Sequence, residues 1–283
     1  MKRFLPLLLA SAVVFTGAPA HAMDVRGGWS DPRSAVAVYH PGGTWTGTPN
    51  AAEPRPALSL AKLYLGYWVL RYGAPEDQWR VEDMIRRSDD GTATDLDRRY
   101  PQAIDETARD YGLGATHRVG SWGNTTTSAL DAAKFVSDIE PDPAAGPLLT
   151  GMRTAAPVAA DGFVQNYGTS QLPGAQGTKY GWSDDFATET ASVSFGDGWS
   201  AAALTYGGAQ ANTDDAVAAV EPGITDANGG WTSSAGPVWA PAVPLRNVLA
   251  PYLPMNMLTL IPADVLVPVG APHVDIPGFQ LPF

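Results

Sequence analysis

The sequence predicts an α+β fold: a mainly antiparallel sheet drawn from both ends of the chain, with a compact helical block inserted between. Three observations carry this. Period-two segments bounded by Gly and Pro turns stand on both sides of a long middle region, residues 57 to 153 hold one helical pattern after another, and strands and helices never alternate in the regular βα manner of a parallel sheet.

In chain order, a leader comes first. Lys2 and Arg3 precede the apolar run Leu5 to Phe15 and the small-residue ending Ala20-His21-Ala22, the pattern of a secretory signal cleaved after Ala22; its apolar core is too short for a membrane anchor. The mature chain is therefore expected in the extracellular space or cell envelope. "SAVAVYHPGGTWTG" alternates through Val36, Val38 and His40, turns at Pro-Gly-Gly and reaches Trp45, which predicts a hairpin. Residues 57 to 72 are too long an apolar run for a strand and read as a helix closed by Gly73 and Pro75.

"APEDQWRVEDMIRRS" carries Glu76 and Asp77 in its first turn and Arg86 and Arg87 in its last, as a helix dipole favours. Further helices are predicted over 92 to 99, in "PQAIDETARDYG", in "TSALDAAKFVSDI" behind threonines read as caps, and from Pro143 to Arg153. Past Gly162 the period returns to two through Ser192, Val193, Ser194 and Phe195, turns at Gly196-Asp197-Gly198 and resumes through Ala203, Leu204 and Tyr206. This second hairpin should pair beside the first. A short helix, "TDDAVAAVE", ends at Pro222. The domain is thus expected to span 23 to 222, and residues 223 to 283 form a Pro- and Gly-rich tail whose prolines forbid a membrane helix and which could dock an envelope partner.

Composition narrows the function. The chain is 45% hydrophobic, has nine tryptophans and lacks cysteine, so the fold rests on its core. A net charge of −11 without a basic patch argues against nucleic acid. Three histidines follow the leader, His40, His117 and His273, and they lack metal-ligand spacing, so no metal or other cofactor is expected. Asp184-Asp185 and Asp214-Asp215 read as caps or solvated turns rather than a glycosidase pair. "NTT" at Asn124 fits a glycosylation acceptor and, better, capping.

Only four lysines occur, and one of them, Lys62, sits in "ALSLAKLYL", where almost every other side chain is apolar. A lysine buried alone is costly or gives up its proton. Three residues earlier, and so on the same face of a helix, is Ser59. A serine beside a neutral amine is an activated nucleophile. Ser88-Asp89-Asp90 follows at the end of the second helix, and Lys179-Tyr180-Gly181-Trp182 opens a strand.

A Ser-x-x-Lys helix, a Ser-Asp-Asp loop and a Lys-Tyr-Gly strand in this order resemble the serine β-lactamase and penicillin-binding protein superfamily, above all class A β-lactamase-like serine hydrolases of the small secreted actinobacterial type. The resemblance runs from about Ala35 to Tyr206. It implies a serine β-lactamase/DD-peptidase-like fold with Ser59 as acylated nucleophile, Lys62 as its base, Ser88 as the hydroxyl between two lysines, and Lys179 as the cation that lowers the Lys62 pKa and meets a substrate carboxylate. Asp90, Tyr180, Gly181 and Trp182 would line the substrate, with the backbone N–H groups of Ser59 and Trp182 as oxyanion hole. Two positions depart from the pattern: Asp90 stands where the family has Asn, and Tyr180 where it has Thr or Ser. No Glu-x-x-Leu-Asn segment occurs between Ser88 and "NTTT", so the glutamate that activates a deacylating water is missing; Glu106 lies inside a helical pattern. The preferred reading is a secreted serine hydrolase acting on an amide or ester, plausible for a peptidoglycan-like or other small substrate, with weak or no β-lactam turnover. The alternative is a non-catalytic envelope-binding protein that keeps the fold.

Overall fold

A computed structural model describes residues 23–225, 231–232, 242–244 and 266–268. The expected leader, most of the tail and any partner surface on it lie outside the described residues.

A five-stranded antiparallel sheet in the order β3-β2-β9-β8-β7 forms the frame, from β2 (Ser34–Tyr39), β3 (Trp45–Gly47), β7 (Gly177–Trp182), β8 (Thr190–Gly196) and β9 (Trp199–Thr205). The two predicted hairpins join as expected, with Ala37 paired to Ala202 and Val38 to Ala201 across β2 and β9. Both faces of the sheet are covered. Ala35, Ala37 and Tyr39 point into the core shared with the helical block, while Val36 and Val38 point into a smaller core on the other face. Small residues at most positions of β8 and β9 let helices lie close on both sides.

The block contains α1 (Ala61–Tyr72), α2 (Pro75–Arg87), α3 (Asp90–Arg99), α4 (Ala103–Asp110), α5 (Ala129–Ile139) and α6 (Gly146–Arg153). Helix α1 is buried from Ala61 to Val69 and runs through its centre. A one-turn 3-10 segment, Leu58–Leu60, leads into it, so the single helix expected from residue 57 starts as a tighter turn. Helix α3 begins two residues earlier than expected because the Asp89 side chain caps it by accepting from Thr92 N at 2.6 Å.

One expectation is corrected. Thr125 to Thr127 do not cap α5; they belong to β6 (Ser121–Thr127), which lies between β4 (Arg55–Pro56) and β5 (His117–Val119), and the cap is Ser128, whose hydroxyl accepts from Asp131 N. β-Branched threonines suit a strand, and two of these hydroxyls are not free to cap: Thr127 bonds Tyr64 and Thr116, each at 2.8 Å, and Thr126 donates to Ala115 O. Strands β4 and β5 escaped the sequence reading because two or three residues carry no period, and the seven-residue β6 because its Gly, Asn and threonines read as a turn and caps.

On the far face lies α7 (Ala209–Ala219), with β1 (Met23–Val25) and β10 (Val220–Pro222) paired beside it. Asn212 fastens α7 to the sheet. Its amide donates to Ala203 O and Thr205 Oγ1, both at 3.0 Å, and its carbonyl accepts from Ser192 Oγ at 2.7 Å. Gly168, at φ +64, packs directly against this knot: a Cβ there would stand 2.0 Å from Asn212 Oδ1 and 2.2 Å from Ser192 Oγ.

Gly168→Ala should therefore lower unfolding free energy by upward of about 2 kcal/mol, through overpacking added to left-handed strain. Gly174→Ala, at φ +79 with nothing near its would-be Cβ, should cost only about 1 kcal/mol. Denaturant unfolding of the two variants checks the difference.

Candidate active site

Ser59 is delivered by a strained turn. Leu58 adopts φ +52, a conformation a branched side chain rarely takes, and swings the following residue to the N-terminal end of α1. Strand β7 passes so close that a Cβ on Gly181 would lie 2.9 Å from Ser59 N. Only glycine allows that approach. One turn along, Lys62 is fully buried and its Nζ donates to Ser59 Oγ at 2.6 Å.

Ser88 ends α2 in the left-handed conformation at φ +54, a second strained residue at the same place. Its hydroxyl accepts from Lys179 Nζ at 2.8 Å and from Lys62 Nζ at 3.3 Å. Lys179 is fully buried in β7 and also donates to Tyr180 O at 2.7 Å. Asp90, the first residue of α3, reaches back to Lys62 Nζ at 2.5 Å although its own side chain is more than half exposed. Thus one tripeptide supplies a helix end, a cap and a counter-ion.

Two amines this close and this buried cannot both hold their protons at ordinary cost. Burial pulls Lys62 below the usual lysine range against the opposing pull of the Asp90, Asp161 and Asp89 carboxylates. Lys179 is pulled well below it, first by burial and then by repulsion from Lys62.

Other groups close the site. The Trp122 ring, from β6, lies 4.3 Å from Lys62 Nζ, and the Trp182 ring lies 5.9 Å from Lys179 Nζ. Trp182 stacks on Phe163 at 4.5 Å between centroids and donates its Nε1–H to Asp161 Oδ2 at 2.9 Å. Tyr180, alternating with Lys179 along β7, points to the opposite face and packs against Tyr167. It does not fill the space beside Ser59. Glu106 accepts from Trp68 Nε1 at 2.8 Å on the far side of α1 and takes no part. The structure therefore brings together Ser59, Lys62, Ser88, Asp90, Lys179, Gly181 and Trp182 and leaves the Tyr180 ring outside. Trp122, Asp161 and Phe163 were missed: Asp161 and Phe163 fall in a stretch without period, and Trp122 in a polar strand whose Gly, Asn and threonines read as a turn and caps. Among the described residues no His, Cys, Asp and Glu cluster could hold a metal ion.

This architecture is that of the serine β-lactamases and penicillin-binding proteins. No protein-family model and no curated protein matches the chain. Solved structures do. A variant of the last common ancestor of Gram-negative bacteria class A β-lactamase is 19% identical, covering 66% of this chain and 90% of its own, with a TM-score of 0.51. A class A β-lactamase from Mycobacterium abscessus is 14% identical over 66% and 90%, TM-score 0.50. Penicillin-binding protein D2 from Listeria monocytogenes, in its cefotaxime-bound form, is 17% identical over 67% and 96%, TM-score 0.50. Both groups expected from the sequence are thus represented, and at these identities the likeness is one of fold.

The depressed Lys179 has a consequence for stability. An amine whose folded pKa lies below its unfolded value binds fewer protons when folded, so stability falls as pH drops below the unfolded lysine pKa and rises with pH between the two values. From pH 7 to 9 the protein should gain stability relative to a Lys179→Met variant, by at most about 1.4 kcal/mol per pH unit for the one group. Urea unfolding at the two pH values reads it.

Proposed function

We propose that the chain is a serine hydrolase, exported to the extracellular space or envelope, that cleaves an amide or ester through an acyl-enzyme on Ser59. One observation carries the reading: the Ser59 hydroxyl lies 2.6 Å from a buried amine whose neutral form burial favours. Neutral Lys62 takes the Ser59 proton as the Oγ–acyl carbon bond forms, and the N–H groups of Ser59 and Trp182 hold the oxyanion. Collapse breaks the bond to the leaving group, which takes its proton from the Lys62 ammonium by way of the Ser88 hydroxyl. Water then adds to the acyl carbon, passes a proton to Lys62, and the acid departs as Ser59 regains it.

Deacylation is the slow half. The β6 segment presents the Trp122 indole to Lys62, and the nearby Asp90 and Asp161 carboxylates are engaged by Lys62 and Trp182, so activation of the water is left to Lys62 and turnover of a β-lactam is weak or absent. A second reading, a binding protein that keeps the fold, draws on the 2.5 Å Asp90–Lys62 ion pair, which favours the ammonium that cannot act as base.

Intact mass after incubation with a penicillin and with a reactive phosphonate decides between them. A covalent adduct that is lost in Ser59→Ala and forms some hundred- to ten-thousandfold more slowly in Lys62→Met is expected. Folded protein without an adduct from either reagent leaves the binding protein. Asp90→Asn should shift the rising limb of the acylation rate to lower pH, because the carboxylate holds the Lys62 pKa up and its removal frees the amine sooner; stopped-flow acylation across pH tests this.

A further inference from the structure

A pocket of about 400 Å³ opens beyond Trp182, within the range of small-molecule sites. Its lining includes Asp161, Phe163, Val164, Tyr167, Phe186 and Ala209. The lining is mostly apolar, and Val164 and Phe186 stay 60% and 48% exposed. Phe186, at φ +60, is the third non-glycine residue in the left-handed region among the described residues; the other two are Leu58 and Ser88 of the active site. The pocket adjoins that site through the Phe163–Trp182 stack and the Trp182–Asp161 hydrogen bond.

Charge around the pocket and the site is acidic. Asp89, Asp90 and Asp161 all act on Lys62, and Asp90 and Asp161 on Lys179. Of these, Asp90 pairs with Lys62 at 2.5 Å, Asp161 is held by Trp182 on the pocket wall, and Asp89 caps α3. The side chains of Arg86 and Arg87, at the nearby end of α2, are turned to Asp83 instead. In the proton route proposed above the leaving group lies at Ser88, which is held by Lys179, the third residue of β7, and this leaves the Trp182 end of the strand and the pocket beyond it to the acyl side.

We infer that the substrate is an uncharged ester or amide whose acyl group carries an apolar tail seated between Phe163, Val164 and Phe186, and that Asp161 on the pocket wall, with Asp90 beside Lys62, rejects acyl groups bearing a carboxylate. This rests on the hydrolase reading above and gives it a substrate class. A substrate carboxylate, which the family resemblance would assign to Lys179, meets Asp161 and Asp90 instead.

The test is a series of p-nitrophenyl esters, acetate to octanoate with the anionic succinate monoester alongside, on the wild type, Ser59→Ala, Val164→Arg and Asp161→Asn. The expected result is Ser59-dependent hydrolysis whose kcat/KM rises up to about fourfold per added methylene over the first members. Succinate should lag butyrate at least about tenfold, since one opposed charge pair is of that order. Val164→Arg should flatten the length series and Asp161→Asn narrow the succinate gap. A flat series, or a preference for succinate, in a Ser59-dependent reaction overturns the inference and leaves the hydrolase standing. If no ester reacts at Ser59, the hydrolase reading falls, and calorimetric titration of the wild type and Val164→Arg with N-butyl hexanamide decides the pocket: binding lost in the variant retains it as an apolar ligand site, and equal or absent binding removes it.

Discussion

Everything at the candidate active site depends on one hydroxyl placed between two buried amines. Ser88 accepts from both Lys179 and Lys62, and neither lysine can be moved outward without breaking the layer that carries it, since one is inside the sheet and the other inside the central helix. Burying both costs stability at neutral pH, and the carboxylates around them offset only part of that cost. The fold accepts strain for the same end: Leu58 and Ser88 adopt left-handed conformations that cost about a kcal/mol or more each and together set the distances among the Ser59 hydroxyl, the Lys62 amine and the Ser88 hydroxyl.

Gly181 shows how closely sheet and helical block must fit. Because β7 runs against the Ser59 turn without a Cβ between them, the strand's backbone and Ser59 form a single surface, and the residue after the glycine, Trp182, carries a ring that stacks on Phe163 of the next pocket. Small residues along β8 and β9 extend the same economy across the sheet, with Asn212 and Ser192 supplying from polar atoms the hold that larger apolar side chains give elsewhere.

Much of this was legible in the sequence. Lys62 declared itself because a cation in an apolar helix needs a reason, and Ser59 followed from helical spacing. Ser88 and Lys179 could be joined to them only through motif order, since contacts across 26 and 91 positions leave no local trace. The long elements α1, α2, β2 and β8 were readable, whereas the two- and three-residue strands β4 and β5 and the polar strand β6 were not. Threonines serve caps and strands alike, and their true role was decided by Tyr64 and Thr116, which pair with Thr127 from elsewhere in the fold. The side on which Tyr180 lies is fixed by strand alternation, yet which face held the site became clear only with the helices in place.

The pairing of β1 with β10 has an effect on how the body can be carried. Met23 and Pro222 are cross-strand partners, so the two ends of the domain leave it side by side, next to β2 and β3 at the sheet edge opposite β7. Whatever is joined before Met23 or after Pro222 is attached at one pole. A tether there would hold the protein by its back, leave the β7 edge with Lys179 and Ser59 pointing away from the anchoring surface, and let the body turn about a single point. The same adjacency makes it possible to link the two ends directly and open the chain elsewhere without moving Ser59, Lys62, Ser88 or Lys179.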